Sequence, residues 1–131
     1  MAHSVTTFLM FTGKAEEAMR WYVSLFPGSE ITSLEHFGPG EQGSEGSVKR
    51  ATFTLRGHQL MCFDSPAVHD FTFTPAISLF VECESANELD AAFTALSDGG
   101  QVFMPLSGYG FSTKFGWCSD RFGVSWQLNL A

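Results

Sequence analysis

The sequence predicts an α+β fold: two βαβββ modules forming a cupped mixed sheet, with helices on the outer face. Three observations predict it. The segment "AEEAMRWYVSLFPGSEI" (15–31) matches "ANELDAAFTALSDGGQV" (86–102) at an offset of 71, with Ala15 over Ala86, Glu17 over Glu88, Tyr22 over Phe93, Leu25 over Leu96 and Gly28 over Gly99. Both segments follow a short apolar strand and show helical spacing of their apolar residues. After each come three strand-like runs, so one order of elements occurs twice, and two half-barrels can complete each other.

In the first module, about 4–66, "TFLMF" (7–11) reads as the opening strand. Ala18, Trp21, Tyr22 and Leu25 recur at three- and four-residue steps and predict a helix with one buried face. Gly28 supplies a left-handed stop. Strands are expected over 30–37, 48–56 and 59–64, the last two joined by a tight turn at Gly57. Between them "GPGEQG" (38–43) has the letters of a dinucleotide-binding loop but is followed by "SEGS" and not by a helix. Without a helix N-terminus it has nothing to hold a pyrophosphate, so 38–47 is expected to be a mobile loop.

The second module, about 74–131, opens with "ISLFVE" (77–82). Its helix buries Leu89, Ala92, Phe93 and Leu96, with Ser85 and Glu88 spaced as a capping box. Lys14, before the first helix, offers no such cap. Gly99 ends the second helix, and strands follow at 101–104, 114–119 and 124–130, the last two joined through "DRFG". The whole chain of 131 residues is expected to be a single domain.

Composition narrows the function. Asp plus Glu outnumber Lys plus Arg by 14 to 7, a net charge of −7 that argues against nucleic acid, whose phosphates demand a basic surface. The three cysteines, Cys62, Cys83 and Cys118, lie in separate apolar runs and read as reduced core thiols. The opening "MAHSVTTFLMF" has no basic leader pattern, and no apolar run reaches the roughly 20 residues needed to span a bilayer. A cytoplasmic protein without membrane partners is the expectation.

Alternation assigns the strand faces. Val124, Trp126, Leu128 and Leu130 share one face of the last strand; Ser125, Gln127 and Asn129 share the other, with Cys118 expected beside them. The repeat sets Thr7 on Ser78, and superposing Gly57 on Gly123 sets Met61 on Gln127 and Phe63 on Asn129. His58 and His69 read as solvated, and His36 ends a strand beside the 38–47 loop, within reach of a cavity. Asp120 suits an Asx turn, whereas Asp64 is open to a general-base role. "SGYGFSTKFGW" (107–117) suits either an aromatic pocket lining or a dimer contact.

These places carry a resemblance. "FLMFTGKAEEAMRWYVSLFPGSEI", "TPAISLFVECES", "GGQVFMPL" and "FGWCSDRFGVSWQLNL" resemble the vicinal oxygen chelate superfamily of glyoxalase I, extradiol dioxygenases and bleomycin-resistance proteins. They are closest to its PhnB-like branch, labelled "3-demethylubiquinone-9 3-methyltransferase". The resemblance implies a glyoxalase-like fold and a homodimer, with strands or modules exchanged between subunits. It also implies that metal-dependent relatives hold an ion on His, Glu or Gln at four positions. Here these fall on Thr7, Met61, Ser78 (Ala76 if the strand is displaced by one pair) and Gln127. A set without His or carboxylate does not meet the donor demand of a transition metal, so no metal or other cofactor is expected. The methyltransferase label finds no nucleotide-binding motif to support it.

The leading expectation is metal-independent binding of a small, cationic or aromatic molecule in the cup, on Thr7, Phe11, Met61, Phe63, Ser78, Gln127 and Asn129. Two rivals stand beside it. One is a lyase- or dioxygenase-type enzyme of the superfamily, with catalytic residues unassigned. The other is a dimeric interaction protein with a vestigial cup.

Overall fold

The structure, a computed structural model, describes residues 1–131. It divides into two compact units, Met1–Val68 and His69–Ala131. The element order is β1 (Thr7–Phe11), α1 (Ala15–Leu25), β2 (Glu30–His36), β3 (Val48–Leu55), β4 (His58–Asp64), then β5 (Leu79–Glu82), α2 (Ala86–Ser97), β6 (Gln101–Ser107), β7 (Lys114–Ser119) and β8 (Ser125–Leu130). Each unit is βαβββ, with its own four-stranded mixed sheet.

In the first unit the order is β1-β4-β3-β2, with β1 parallel to β4 and the other pairs antiparallel. The β3–β4 hairpin turns through Arg56 (φ 50°) and Gly57 (φ 89°), the paired left-handed residues that match the twist of a two-residue turn. α1 covers one face with Ala15, Ala18, Met19 and Tyr22. The predicted stripe is therefore rotated: Trp21 and Leu25 are only half-buried at its edge. Contact between Cys62 Sγ and Met19 Sδ at 4.0 Å marks the helix side of β4.

α1 has no cap of its own at Lys14. Asp64, buried at the end of β4, takes that role: its Oδ1 accepts from Gly13 N at 2.7 Å and Ala15 N at 3.0 Å, and its Oδ2 from Val48 N at 2.9 Å. One carboxylate thus ties the start of the helix to β3 and β4. That use of both oxygens explains the residue without a general-base role.

The second unit repeats the scheme as β5-β8-β7-β6, with β5 parallel to β8. α2 buries Leu89, Ala92, Phe93 and Leu96 as the spacing predicts. Ser85 Oγ accepts from Glu88 N at 3.1 Å, while the Glu88 carboxylate reaches one residue further back than a capping box requires, to Glu84 N at 2.9 Å. β6 runs to Ser107, past the expected stop at 104, because it is an edge strand with irregular register that tolerates Pro105. Gly116 lets α2 approach β7: a Cβ there would lie 2.5 Å from the Phe93 ring.

Asp120 forms the expected Asx turn. Its Oδ1 accepts from Phe122 N (2.8 Å) and Val124 N (3.1 Å), and its Oδ2 from the indole of fully buried Trp126 (2.9 Å). The 38–47 loop is tied down more than its composition suggests. Phe37 pairs with Ser47 and Gly46, Gly38 N donates to Glu41, Glu41 holds Lys49, and Gly43 leaves room for the Phe37 ring. It leads into β3 and not into a helix.

Candidate functional site

Each sheet has one face under its helix and one open face, and strand register decides which residues share them. In the first unit Thr7, Leu9 and Phe11 lie beside Leu60, Cys62 and Asp64, whereas Phe8 and Met10 lie beside Met61 and Phe63. The first set is the helix side, and Leu9, Phe11, Leu60 and Cys62 are buried there. The second set is the open face, where Phe8 stacks on Phe63 with centroids 5.1 Å apart. Thr7 and Phe11 are thus turned away from Met61 and Phe63. Phe11 is core, and Thr7 Oγ1 bonds to His58 Nε2 at 3.0 Å.

The exchange of faces in β1 has a local cause. In the second unit Phe80 stands beside Gln127 and Glu82 beside Asn129, so Phe80 is the register equivalent of Phe8, an offset of 72. Cys83 N donates to Asn129 O at 2.7 Å, extending β5 by one pair and making Cys83 the equivalent of Phe11. Three residues (12–14) then separate strand from helix in the first unit, but only two (84–85) in the second. The extra residue is absorbed at Gly13, at φ 103° in the left-handed region that favours glycine. Aligning by the helices therefore misplaces the first strand by one residue, which exchanges its faces. Thr7 corresponds to Leu79, not to Ser78.

The open face of the second unit is polar at its centre. Trp117 Nε1 donates to Ser125 Oγ at 2.9 Å, Ser125 and Ser78 hydroxyls lie 2.6 Å apart, and Gln127 Nε2 donates to Ser78 Oγ at 3.2 Å. The structure thus brings Ser78 and Gln127 together. Asn129 stands two residues on. It accepts from Ser112 Oγ and donates from Nδ2 to Glu82 Oε2 at 3.0 Å. Phe80 and Glu82 carried no signal of their own in the sequence, whereas Ser112 and Trp117 lie in the 107–117 run already read as a candidate pocket lining. β5–β8–β7 pairing brings Phe80, Glu82 and Trp117 to one face, and the Ser112–Asn129 bond adds Ser112.

The segment 107–117 folds over this same face. Phe115 lies opposite Asn129, buried against Phe111 (5.1 Å), Tyr109 (6.2 Å) and Phe80 (6.3 Å between centroids). Its aromatic residues line the polar row on one side.

Other expectations resolve otherwise. Cys118 stands opposite Trp126 on the helix side, not beside Gln127. Burial pushes its thiol up to about 12, with the Asp120 carboxylate adding to it, so it is not a nucleophile at neutral pH. His36 points to α1, bonding Glu16 Oε1 at 2.7 Å. That bond, with a second from Arg20, lowers the Glu16 pKa. No group of three or more His, Cys, Asp or Glu side chains is placed to hold a metal ion. No helix is long and apolar enough to cross a membrane.

The family model described as 3-demethylubiquinone-9 3-methyltransferase matches residues 3–129. The chain is 55% identical to a PhnB protein from Bacillus cereus, with a TM-score of 0.95 over 98% of this chain and 100% of that one. It is 26% identical to PA1353 from Pseudomonas aeruginosa, with a TM-score of 0.84 and 98% of each chain covered. The fosfomycin resistance protein FosX of Listeria monocytogenes shares the glyoxalase-like fold, at a TM-score of 0.63, 12% identity, and coverage of 98% and 93%.

Proposed function

Because this chain belongs to the 3-demethylubiquinone-9 3-methyltransferase family, in its PhnB-like form, we propose that it binds a small organic molecule on the open faces of its sheets, without metal chemistry. The vicinal oxygen chelate superfamily is the wider group we assign it to. The observation that carries the reading is the hydrogen-bonded row Trp117–Ser125–Ser78–Gln127.

The row has a direction. Ser125 is 2% exposed, and its hydroxyl has two partners, the Trp117 indole and Ser78. If Ser78 donated to Ser125, the Ser125 proton would be buried without an acceptor, a cost of about 1–3 kcal/mol. Ser125 therefore donates to Ser78. Ser78 Oγ then accepts twice, from Ser125 and from Gln127, and its own proton is left to point outward. Gln127 spends one amide hydrogen on Ser78 and keeps its carbonyl oxygen as an acceptor. A half-exposed face carrying one aligned donor and one aligned acceptor beside Phe80 is suited to a molecule with both apolar and hydrogen-bonding parts.

The positions where metal-dependent members of the superfamily place their ligands become Phe8, Met61, Phe80 and Gln127 once the register is applied. Two phenyl rings, a thioether and an amide do not fit a transition metal, which requires about three good donors. The methyl transfer in the family's description also lacks a footing here. The glycine-rich 38–43 run enters strand β3, so no helix N-terminus follows it to seat a nucleotide phosphate.

The test is a thermal-shift and calorimetric screen of aromatic diols, cationic antibiotics and thiol adducts, repeated on Gln127→Leu. We expect about a tenfold loss of affinity for any ligand found, from one lost polar contact. Unchanged affinity in Gln127→Leu would sink the assignment.

A further inference from the structure

We propose that the open face of the second unit carries a subsite for an organic ammonium group, formed by the Glu82 carboxylate and the exposed rings of Phe80 and Phe111, with buried Phe115 backing both. The inference rests on the binding reading above and names the charge of the ligand.

Glu82 is the odd residue on this face. It is exposed, and its one hydrogen bond comes from Asn129 Nδ2 to Oε2 at 3.0 Å. No Lys or Arg neutralises it: Lys114, in the neighbouring β7, is taken by Asp90 at 2.7 Å. A strand carboxylate with no partner is ordinarily mobile and solvated. This one is held, because Ser112 donates to Asn129 Oδ1 and so orients the amide with its NH2 toward Glu82. The second oxygen, Oε1, is left to face a ligand. The arrangement orders an anion at the end of a row of neutral groups in a protein of net charge −7, and its complement is a cation.

The rings decide which cation. Phe80 precedes Glu82 by two residues on the same face, about 6.6 Å along the strand, and is 54% exposed. On the other side of Asn129, Phe115 stands in register with it, 6.3 Å from Phe80 and 5.1 Å from Phe111, itself 63% exposed. A bare metal ion or a primary ammonium is tightly hydrated, and stripping that water costs more than ring faces return. A methylated ammonium is weakly hydrated, spreads its charge over methyl groups, and is attracted by aromatic faces beside a carboxylate. Ser78, two residues before Phe80, then offers its hydroxyl proton to an acceptor elsewhere on the same molecule. Donor, ring and carboxylate stand at alternate positions 78, 80 and 82, the first just before β5 and the other two within it.

The experiment follows backbone and side-chain amides by 15N–1H correlation spectra while choline, or its neutral tert-butyl isostere 3,3-dimethylbutan-1-ol, is added. The Asn129 side-chain NH2 reports the subsite, and the Trp126 indole, held by Asp120, reports the fold. We expect choline to move the Asn129 peaks saturably, and to bind about tenfold tighter than the alcohol. Glu82→Gln keeps an acceptor for Asn129 and should bring choline down to the level of the alcohol, with the Trp126 peak unmoved. Phe80→Leu should weaken choline more than the alcohol. Equal affinity for the two compounds, or a Glu82→Gln protein that binds choline as wild type does, overturns the ammonium site. In that case the binding reading still stands if Gln127→Leu weakens both compounds. If neither compound, nor any in the screen above, perturbs this face, both proposals fall.

Discussion

At the scale of single residues, two buried aspartates are structural in place: Asp120 as its turn sequence suggests, and Asp64 although its sequence position leaves a catalytic role open. Asp64 and Asp120 are 4% and 2% exposed, and each receives three hydrogen bonds. In Asp64 all three donors are backbone amides, and one belongs to the first residue of α1, which has no cap of its own. Asp64→Ala leaves these amides without an acceptor, and should cost about 3–4 kcal/mol. Asp64→Asn keeps one acceptor oxygen and should cost about half as much. Urea denaturation checks both. Ligand affinity of the folded Asp64→Asn protein should be unchanged, because the carboxylate faces the helix junction and not the open face. A large loss of affinity with intact stability would restore a direct role for Asp64.

At the scale of elements, the legible signals were those with a clear period. β1 and β7 span the residues expected of them, 7–11 and 114–119, and α2 buries the four residues its spacing selects. The open face of β8 was legible because apolar and polar residues alternate there. β1 was not, because "TFLMF" is apolar on both faces, and its side could be fixed only by counting from α1 across a loop that is one residue longer than its counterpart. That single residue turned Thr7 and Phe11 inward and hid Phe8. The loop–strand junctions are correspondingly intolerant. Gly100 opens the turn from α2 into β6, and a Cβ there would lie 2.0 Å from the Ser119 carbonyl oxygen, a backbone atom that cannot rotate away. Gly100→Ala should therefore destabilise the protein by about 3 kcal/mol, the upper range of overpacking, seen as a lowered urea midpoint at unchanged slope. A midpoint within error of wild type would show that the β6–β7 pair slides apart at little cost.

At the scale of the whole molecule, the three thiols make an alkaline limit that belongs to both units. Cys62, in the first unit, is pushed up to about 12 by burial and then by Asp64. Cys83 and Cys118, in the second, reach about 11 and about 12, again by burial first, then by nearby carboxylates. All three are free and buried, so the native chain should react with thiol reagents at pH 8 only as fast as it opens, while the urea-unfolded chain reacts three times at once. The linkage follows from the direction of the shifts. A thiol whose pKa is about 9 unfolded and higher folded holds its proton more tightly in the native state. Its contribution is therefore complete below pH 9 and is lost as pH rises from 9 toward the folded value. Each such thiol should remove about 1.4 kcal/mol of stability per pH unit across that window. Lysines and tyrosines titrate in the same range, so the test is a difference between two proteins. Cys118→Ala lowers stability at pH 7 through the small cavity it leaves, but its stability should fall less steeply than wild type between pH 9 and 10.5. The difference in slope should approach one thiol's share. Parallel curves would mean that Cys118 ionises as readily in the folded chain as in the unfolded one, and that its place under α2 is wetter than the packing of Trp126 and Leu128 around it implies.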